Sequence, residues 1–116
     1  MKSIRFSNPD MIPRVLDRFP GLTLICAHMG GYSEWDAAAK CLADTNVYVD
    51  CSSTFFALDK EKVLDLFRLF GEDRILFGSD YPMWHVKDEI DYVLSLGLSD
   101  TALNKIFNGN ILKILP

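Results

Sequence analysis

Three short apolar runs at near-even spacing constrain this chain more than any other feature. They occupy residues 22–27, 46–51 and 74–78, centred near 25, 49 and 76, and so lie 24 and 27 positions apart. Bounded by Gly and Pro, the first run (Leu22, Thr23, Leu24, Ile25, Cys26, Ala27) reads as a strand buried on both faces. Each gap between runs holds one helical pattern. Antiparallel strands can be joined by a tight turn, whereas a parallel pair needs a crossover long enough for a helix. The spacing therefore predicts consecutive βα units and a parallel α/β sheet.

The helical patterns have recognisable ends. Residues 9–19 place Met11, Ile12, Val15, Leu16 and Phe19 at helical spacing, with Asn8 as N-cap, Pro9 in the first position and Pro20-Gly21 as the stop. Ser33 is placed to cap a helix over 34–43. Residues 58–70 are amphipathic, with Val63, Leu66, Phe67 and Phe70 on one face and Gly71 as the stop. Helices follow over 86–96 and 100–107, the second capped by Ser99. Asn108-Gly109-Asn110 breaks the chain before a last turn over 111–115.

Composition narrows the function. A length of 116 residues fits one domain, 1–116. The chain is 49% hydrophobic and 24% charged, which suits a globular protein rather than a disordered one. Twelve basic against sixteen acidic residues give a net charge of −4, so no basic face for nucleic acid is expected. Cys26, Cys41 and Cys51 show neither C-x-x-C nor paired spacing, and read as small core residues in a reducing compartment. The opening Met-Lys-Ser-Ile-Arg-Phe lacks the apolar region of a signal peptide, and no apolar run has membrane-spanning length. The expectation is a cytoplasmic protein with no membrane partner.

Each run ends on its C-terminal side in polar or glycine residues: His28-Met29-Gly30-Gly31, Asp50-Cys51-Ser52-Ser53 and Gly78-Ser79-Asp80. In parallel α/β sheets this is the edge where ligands bind, because loops vary there while the strands hold them in place. His28 is either a hydrogen-bonded structural residue or a functional one. Asp50 is a turn former, a cap or a site residue; Ser52 and Ser53 read as the entry to a loop. Asp80, before Tyr81-Pro82, either opens a turn or carries chemistry, since a histidine and a carboxylate at one edge can bind a metal or share a proton. His85 reads as an exposed loop residue. Trp35, Phe55, Phe56, Tyr81 and Trp84 either wall a pocket or pack beneath loops. Gly30-Gly31 before a capped helix hints at a phosphate site, but the P-loop lysine and the G-x-G-x-x-G spacing are missing.

Taken together, residues 24–31 (LICAHMGG), 47–52 (VYVDCS), 75–82 (ILFGSDYP) and 106–114 (IFNGNILKI) resemble the last three βα units of the amidohydrolase-related family. That family includes aminocarboxymuconate-semialdehyde and resorcylate-type decarboxylases and lactone or amide hydrolases. The resemblance covers nearly all of the chain, and the H-x-G-G followed by G-S-D-Y-P is its specific part. It implies strands 6–8 of a (β/α)₈ barrel, a small carboxylate, lactone or amide substrate, and one divalent metal, zinc first and manganese second. By motif, Asp80 matches a metal ligand that handles the proton of bound water, and His28 matches the substrate-facing acid, base or electrophile. Met83 stands where many members carry histidine.

The resemblance also implies ligands not found in this sequence. The family's H-x-H pair and its further metal-binding histidine have no counterpart, because the only histidines are His28 and His85. A (β/α)₈ barrel takes about 250 residues. The chain is thus expected to be a partial domain, inactive alone, that self-associates or joins a missing N-terminal half. The competing expectation is a non-catalytic α/β interaction module derived from such an enzyme.

Overall fold

The computed structural model describes residues 7–116. The N-terminal hexapeptide read above for a leader lies outside them. A 3₁₀ turn, Pro9–Met11, leads into α1 (Ile12–Arg18), followed by β1 (Ile25–Cys26), α2 (Trp35–Leu42), β2 (Tyr48–Asp50), α3 (Lys60–Phe70), β3 (Ile75–Leu76) and α4 (Val86–Leu94). The C-terminal segment comprises α5 (Asp100–Asn104), a π turn (Lys105–Gly109) and α6 (Asn110–Ile114). The strands form one parallel sheet in the order β1-β2-β3, with Cys26 beside Val49 and Val49 beside Ile75. The parallel βα architecture expected from the spacing is what forms.

Register decides which residues make the core. Cys26, Val49 and Ile75 share one face of the sheet, and all three are buried in a cluster with Ala38 and Leu42 of α2 and with α3. Val63, Leu66, Phe67 and Phe70 of α3 recur at one-turn spacing and are all buried. Each phenylalanine there contributes roughly 1.5–3 kcal/mol by leaving water. Asp59 fixes the start of α3 by accepting from the Lys62 backbone N–H at 2.8 Å, and Gly71, at φ 82°, ends it. The opposite face carries Ile25, Tyr48, Asp50 and Leu76, outside that cluster.

Four local expectations are corrected. The first run is not buried on both faces: Ile25 is 44% and Leu22 42% exposed, because the helices cover one face only. The ladders also span two or three residues rather than the full apolar runs. Ser33 does not cap α2: its backbone is left-handed (φ 55°), Glu34 takes the cap position, and no side-chain cap forms. Asn108-Gly109-Asn110 does not break the C-terminal helix. Gly109 keeps helical angles, and the π turn brings Asn110 inward, fully buried, where its Nδ2 donates to the Glu72 carbonyl at 2.6 Å and the Ile75 carbonyl at 2.9 Å. Ser99 does cap α5, accepting from Ala102 N–H at 3.1 Å. Asn8 takes the cap position before Pro9 but makes no side-chain cap bond.

The N-terminal ends of the strands are held by a polar clamp. Arg74 donates to Phe70 O and Ala43 O, each at 2.9 Å, and also to the carbonyls of Leu42 and Thr45. One guanidinium thereby bonds carbonyls where α2 and α3 end, that of Leu42 being shared with Thr45. It also lies over the Phe70 ring, 5.4 Å from its centroid. Lys105 pairs with Glu72 and Asp73 at 3.0 and 2.9 Å beside the same strand.

Candidate active site

The other ends of the strands are organised differently. After β1 the backbone turns sharply, with His28 and Met29 both left-handed (φ 58° and 54°). Met29 is fully buried, which anchors the turn and leaves the half-buried His28 imidazole at the edge. Gly30 must be glycine: its φ is 93°, and a Cβ would stand 2.6 Å from Leu42 Cδ1. After β2, Ser53 is left-handed (φ 46°), and after β3, Asp80 is too (φ 56°). A non-glycine residue in that region costs on the order of 1 kcal/mol, and such positions concentrate at functional sites. Here all three strand ends carry one.

The middle strand joins the outer two. Asp50 Oδ1 accepts from the backbone N–H of His28 at 3.1 Å, from that of Ser52 at 3.0 Å, and from the Ser52 hydroxyl. Gly78 makes room for this carboxylate, since a Cβ there would sit 3.2 Å from Asp50 Cγ. His28 Nδ1 lies 2.8 Å from Ser52 Oγ and 3.2 Å from the Ser52 carbonyl. On the other side, Ser53 Oγ donates to Asp80 Oδ2 at 2.6 Å and accepts from Trp84 Nε1–H at 2.9 Å. His28 and Asp80 are thus tied to consecutive residues of one turn.

Acceptor chemistry fixes the imidazole. A carbonyl oxygen cannot donate, and the Ser52 hydroxyl proton is directed at Asp50, so Nδ1 carries the hydrogen. Nε2 is then the nitrogen left for a ligand or a proton. The order Asp–Ser–His is not that of a nucleophilic triad, in which the histidine takes the serine proton. Ser52 is therefore no nucleophile here. Nor are the buried thiols: burial, with the nearby Asp50 charge adding, pushes Cys26 up to about 11. Cys51 is pushed up to about 12, again chiefly by burial. Neither forms thiolate at neutral pH.

Aromatic rings line the same edge. Trp84 stacks on Phe56 at 4.8 Å, Phe56 on Tyr32 at 6.3 Å, and Tyr32 meets His28 edge-on at 5.7 Å. Tyr32 and Phe56 are exposed, as is Tyr81 beyond them. Phe55 instead joins the core, stacked on Tyr92 at 4.2 Å, and half-buried Trp35 packs against the core beside Tyr32. Phe55 and Trp35 thus pack beneath loops, whereas Phe56 and Trp84 stack on each other at the edge. His85 is exposed, as expected.

His28 and Asp80 belong to one bonded edge, while Asp50, Ser52, Ser53 and Tyr32 carry more of it than the sequence suggested. The available signal was Asp50 followed two residues later by Ser52, the spacing of an Asx turn that closes on a backbone N–H. As a metal centre the edge is incomplete. Among the described residues no group of three or more His, Cys, Asp or Glu is arranged to hold an ion. Catalytic zinc normally takes three protein ligands. Asp80 could supply one, and even with His28 Nε2 the count falls short of three. The residues present do not amount to a metal site.

Fold and edge together define a parallel α/β protein with linked polar side chains at the C-terminal ends of its strands. A family model described as Amidohydrolase matches residues 2–116, and the chain belongs to that family. A curated relative, γ-resorcylate decarboxylase of Polaromonas sp., is 27% identical, the match covering 83% of this chain and 35% of the relative. A TIM-barrel protein of Bordetella bronchiseptica superposes with TM-score 0.72 at 29% identity, over 93% of this chain and 39% of the other. A Burkholderia multivorans amidohydrolase solved with bound zinc gives TM-score 0.72 at 19% identity, over 94% of this chain and 51% of the other. The chain thus spans about a third of the length of the curated relative. No helix among the described residues is long and apolar enough to cross a membrane.

Proposed function

We propose that the chain supplies part of the active site of a metal-dependent hydrolase or decarboxylase acting on a small carboxylate, lactone or amide. β1, β2 and β3 correspond in this reading to strands 6–8 of a (β/α)₈ barrel. His28 faces the substrate as acid, base or electrophile through Nε2. Asp80 contributes one ligand to a divalent metal, zinc or manganese, whose other ligands come from outside this chain. A divalent ion in such a site lowers the pKa of bound water or polarises a substrate oxygen. The observation that carries the reading is the joining of His28 and Asp80 to one turn at the ligand-binding edge. The fold and the family membership support it.

The remaining strands have a place to go. In the order β1-β2-β3 the outer strands each keep one unpaired edge, and unpaired edges recruit further strands. An open groove of about 520 Å³ runs beside β1, lined by residues including Pro9, Leu24, Ile25, His28 and Tyr32. The partner is a polypeptide carrying the other barrel strands or a second copy of the chain, and the monomer alone is inactive. The test is light scattering on the isolated chain, joined to a decarboxylase and esterase assay with Zn²⁺ or Mn²⁺, with and without a polypeptide supplying the other strands. The reading expects association, and turnover in the completed assembly that His28→Asn and Asp80→Asn each abolish. Turnover that survives both substitutions would remove the edge from the chemistry. The second reading, a non-catalytic interaction module, is favoured by the lack of a three-ligand cluster among the described residues. It predicts association with no turnover in any assembly.

A further inference from the structure

We infer that the Ser52-Ser53 dipeptide is the positioning element of this edge: Ser52, backed by Asp50, sets the tautomer and aim of His28, and Ser53, backed by Trp84, aims Asp80. The inference rests on the reading of His28 and Asp80 as the working residues of the site. Neither serine contacts a reacting atom in this account; both act through a neighbour.

Burial supports it first. Ser52 and Ser53 are each 4% exposed and Thr54 is fully buried, although all three lie in the turn past β2 and carry hydroxyls. A buried hydroxyl needs partners, and each here has them. Thr54 Oγ1 donates to the Ser52 carbonyl at 3.0 Å and so holds the peptide that His28 Nδ1 also contacts. Chain direction is the second support. The Ser52 proton goes to Asp50, so Ser52 Oγ receives from His28 Nδ1–H. The Ser53 proton goes to Asp80 Oδ2, so Ser53 Oγ receives from Trp84 Nε1–H. Both hydroxyls end on a carboxylate, an arrangement in which each bond polarises the next. The third support is conformational. Glycine would adopt the left-handed angles of position 53 without cost but would bring no hydroxyl. Because the two serines are adjacent, one turn fixes the spacing between the β1 and β3 ends.

Long-range ¹H–¹⁵N correlation and carboxyl ¹³C spectra of the ¹³C,¹⁵N-labelled chain test this directly, with His85→Asn removing the one other imidazole. The expected result is His28 protonated on Nδ1 and carrying its lone pair on Nε2. Ser52→Ala shifts the population toward the Nε2–H tautomer and leaves the Trp84 indole N–H resonance in place. Ser53→Ala moves the Trp84 indole N–H and the Asp80 carboxyl resonance and leaves His28 alone; Ser53→Thr, which keeps the hydroxyl, restores both. His28 protonated on Nε2 in the unsubstituted chain would overturn the inference without any variant having to fold. So would a native-like amide spectrum for Ser53→Ala with the indole resonance unmoved. These readouts need neither metal nor turnover. An assembly that is catalytically silent but gives the expected spectra would sink the enzymatic reading and leave the positioning one standing. An active assembly with Nε2–H at His28 would do the reverse.

Discussion

The two ends of this small sheet are built from the same kinds of residue to opposite effect. At the N-terminal end, Arg74, Lys105 and Asn110 point charges and amides at backbone carbonyls and carboxylates of neighbouring elements. At the C-terminal end, His28, Ser53 and Asp80 adopt left-handed backbone, and their polar atoms are bonded mainly to one another and to Asp50, Ser52 and Trp84. One end uses its hydrogen bonds to join helix termini, strand and C-terminal segment; the other uses them to link side chains of three strand ends. The difference teaches that polar residues at strand ends divide by what they bond. Arg74 and Asn110 bond backbone carbonyls, whereas left-handed Ser53 and Asp80 bond each other through their side chains at the proposed site.

The sharpest way to break this comparison is at Arg74. Arg74→Ala removes the arginine donor from the Phe70, Ala43 and Thr45 carbonyls and is expected to cost about 3 kcal/mol in urea denaturation. The folded fraction should retain the His28 resonances of the parent chain. Asn110→Ala, which unpairs the Glu72 and Ile75 carbonyls, is expected to cost about 2 kcal/mol by the same measurement. A negligible cost at both positions would erase the distinction between the ends.

At the working end the sign should change. Asp80→Gly relieves the left-handed backbone that Asp80→Ala keeps, so the glycine variant should be the more stable of the two by about 1 kcal/mol in thermal denaturation. Both should be equally inactive in a completed assembly. Equal stability would mean that this turn stores no strain.

The smallest effect is expected at Glu89 of α4. Its Oε2 is buried without a partner, and burial, with the Asp88 charge adding, holds the carboxyl above its ordinary value of 4.5. As pH rises, the unfolded chain therefore releases this proton first, and ionisation works against the folded state from about pH 4.5 upward. Glu89→Gln should raise Tm slightly near neutral pH and leave it unchanged below pH 4.5. A gain at low pH as well would show that the charge is not its source.

Much of the stabilising architecture was legible in the sequence. The period of apolar residues gave the α3 face Val63, Leu66, Phe67 and Phe70 correctly, because periodicity reports burial directly. Ser99 was found because a cap bonds its own helix, a local event. The helix through Asn110 was misread, because Asn-Gly-Asn looks like a breaker until the Glu72 and Ile75 carbonyls are seen across the fold to receive its amide. The double burial of the first run was misread for a related reason: a strand's second face is covered by neighbours, which its own residues do not report. His28 and Asp80 stood out as rare residues at strand ends. Ser52 and Ser53 did not, since a serine after a strand resembles an ordinary loop residue until its partners on two other strands are known.

The claim that His28 and Asp80 serve one metal-dependent site is tested most directly in the completed assembly, by adding Mn²⁺ with this chain ¹⁵N-labelled and mapping paramagnetic broadening. The account predicts broadening centred on Asp80 that reaches the His28 ring and disappears in Asp80→Asn. Broadening that centres elsewhere, such as on Glu72 and Asp73, or that persists unchanged in Asp80→Asn, would contradict it.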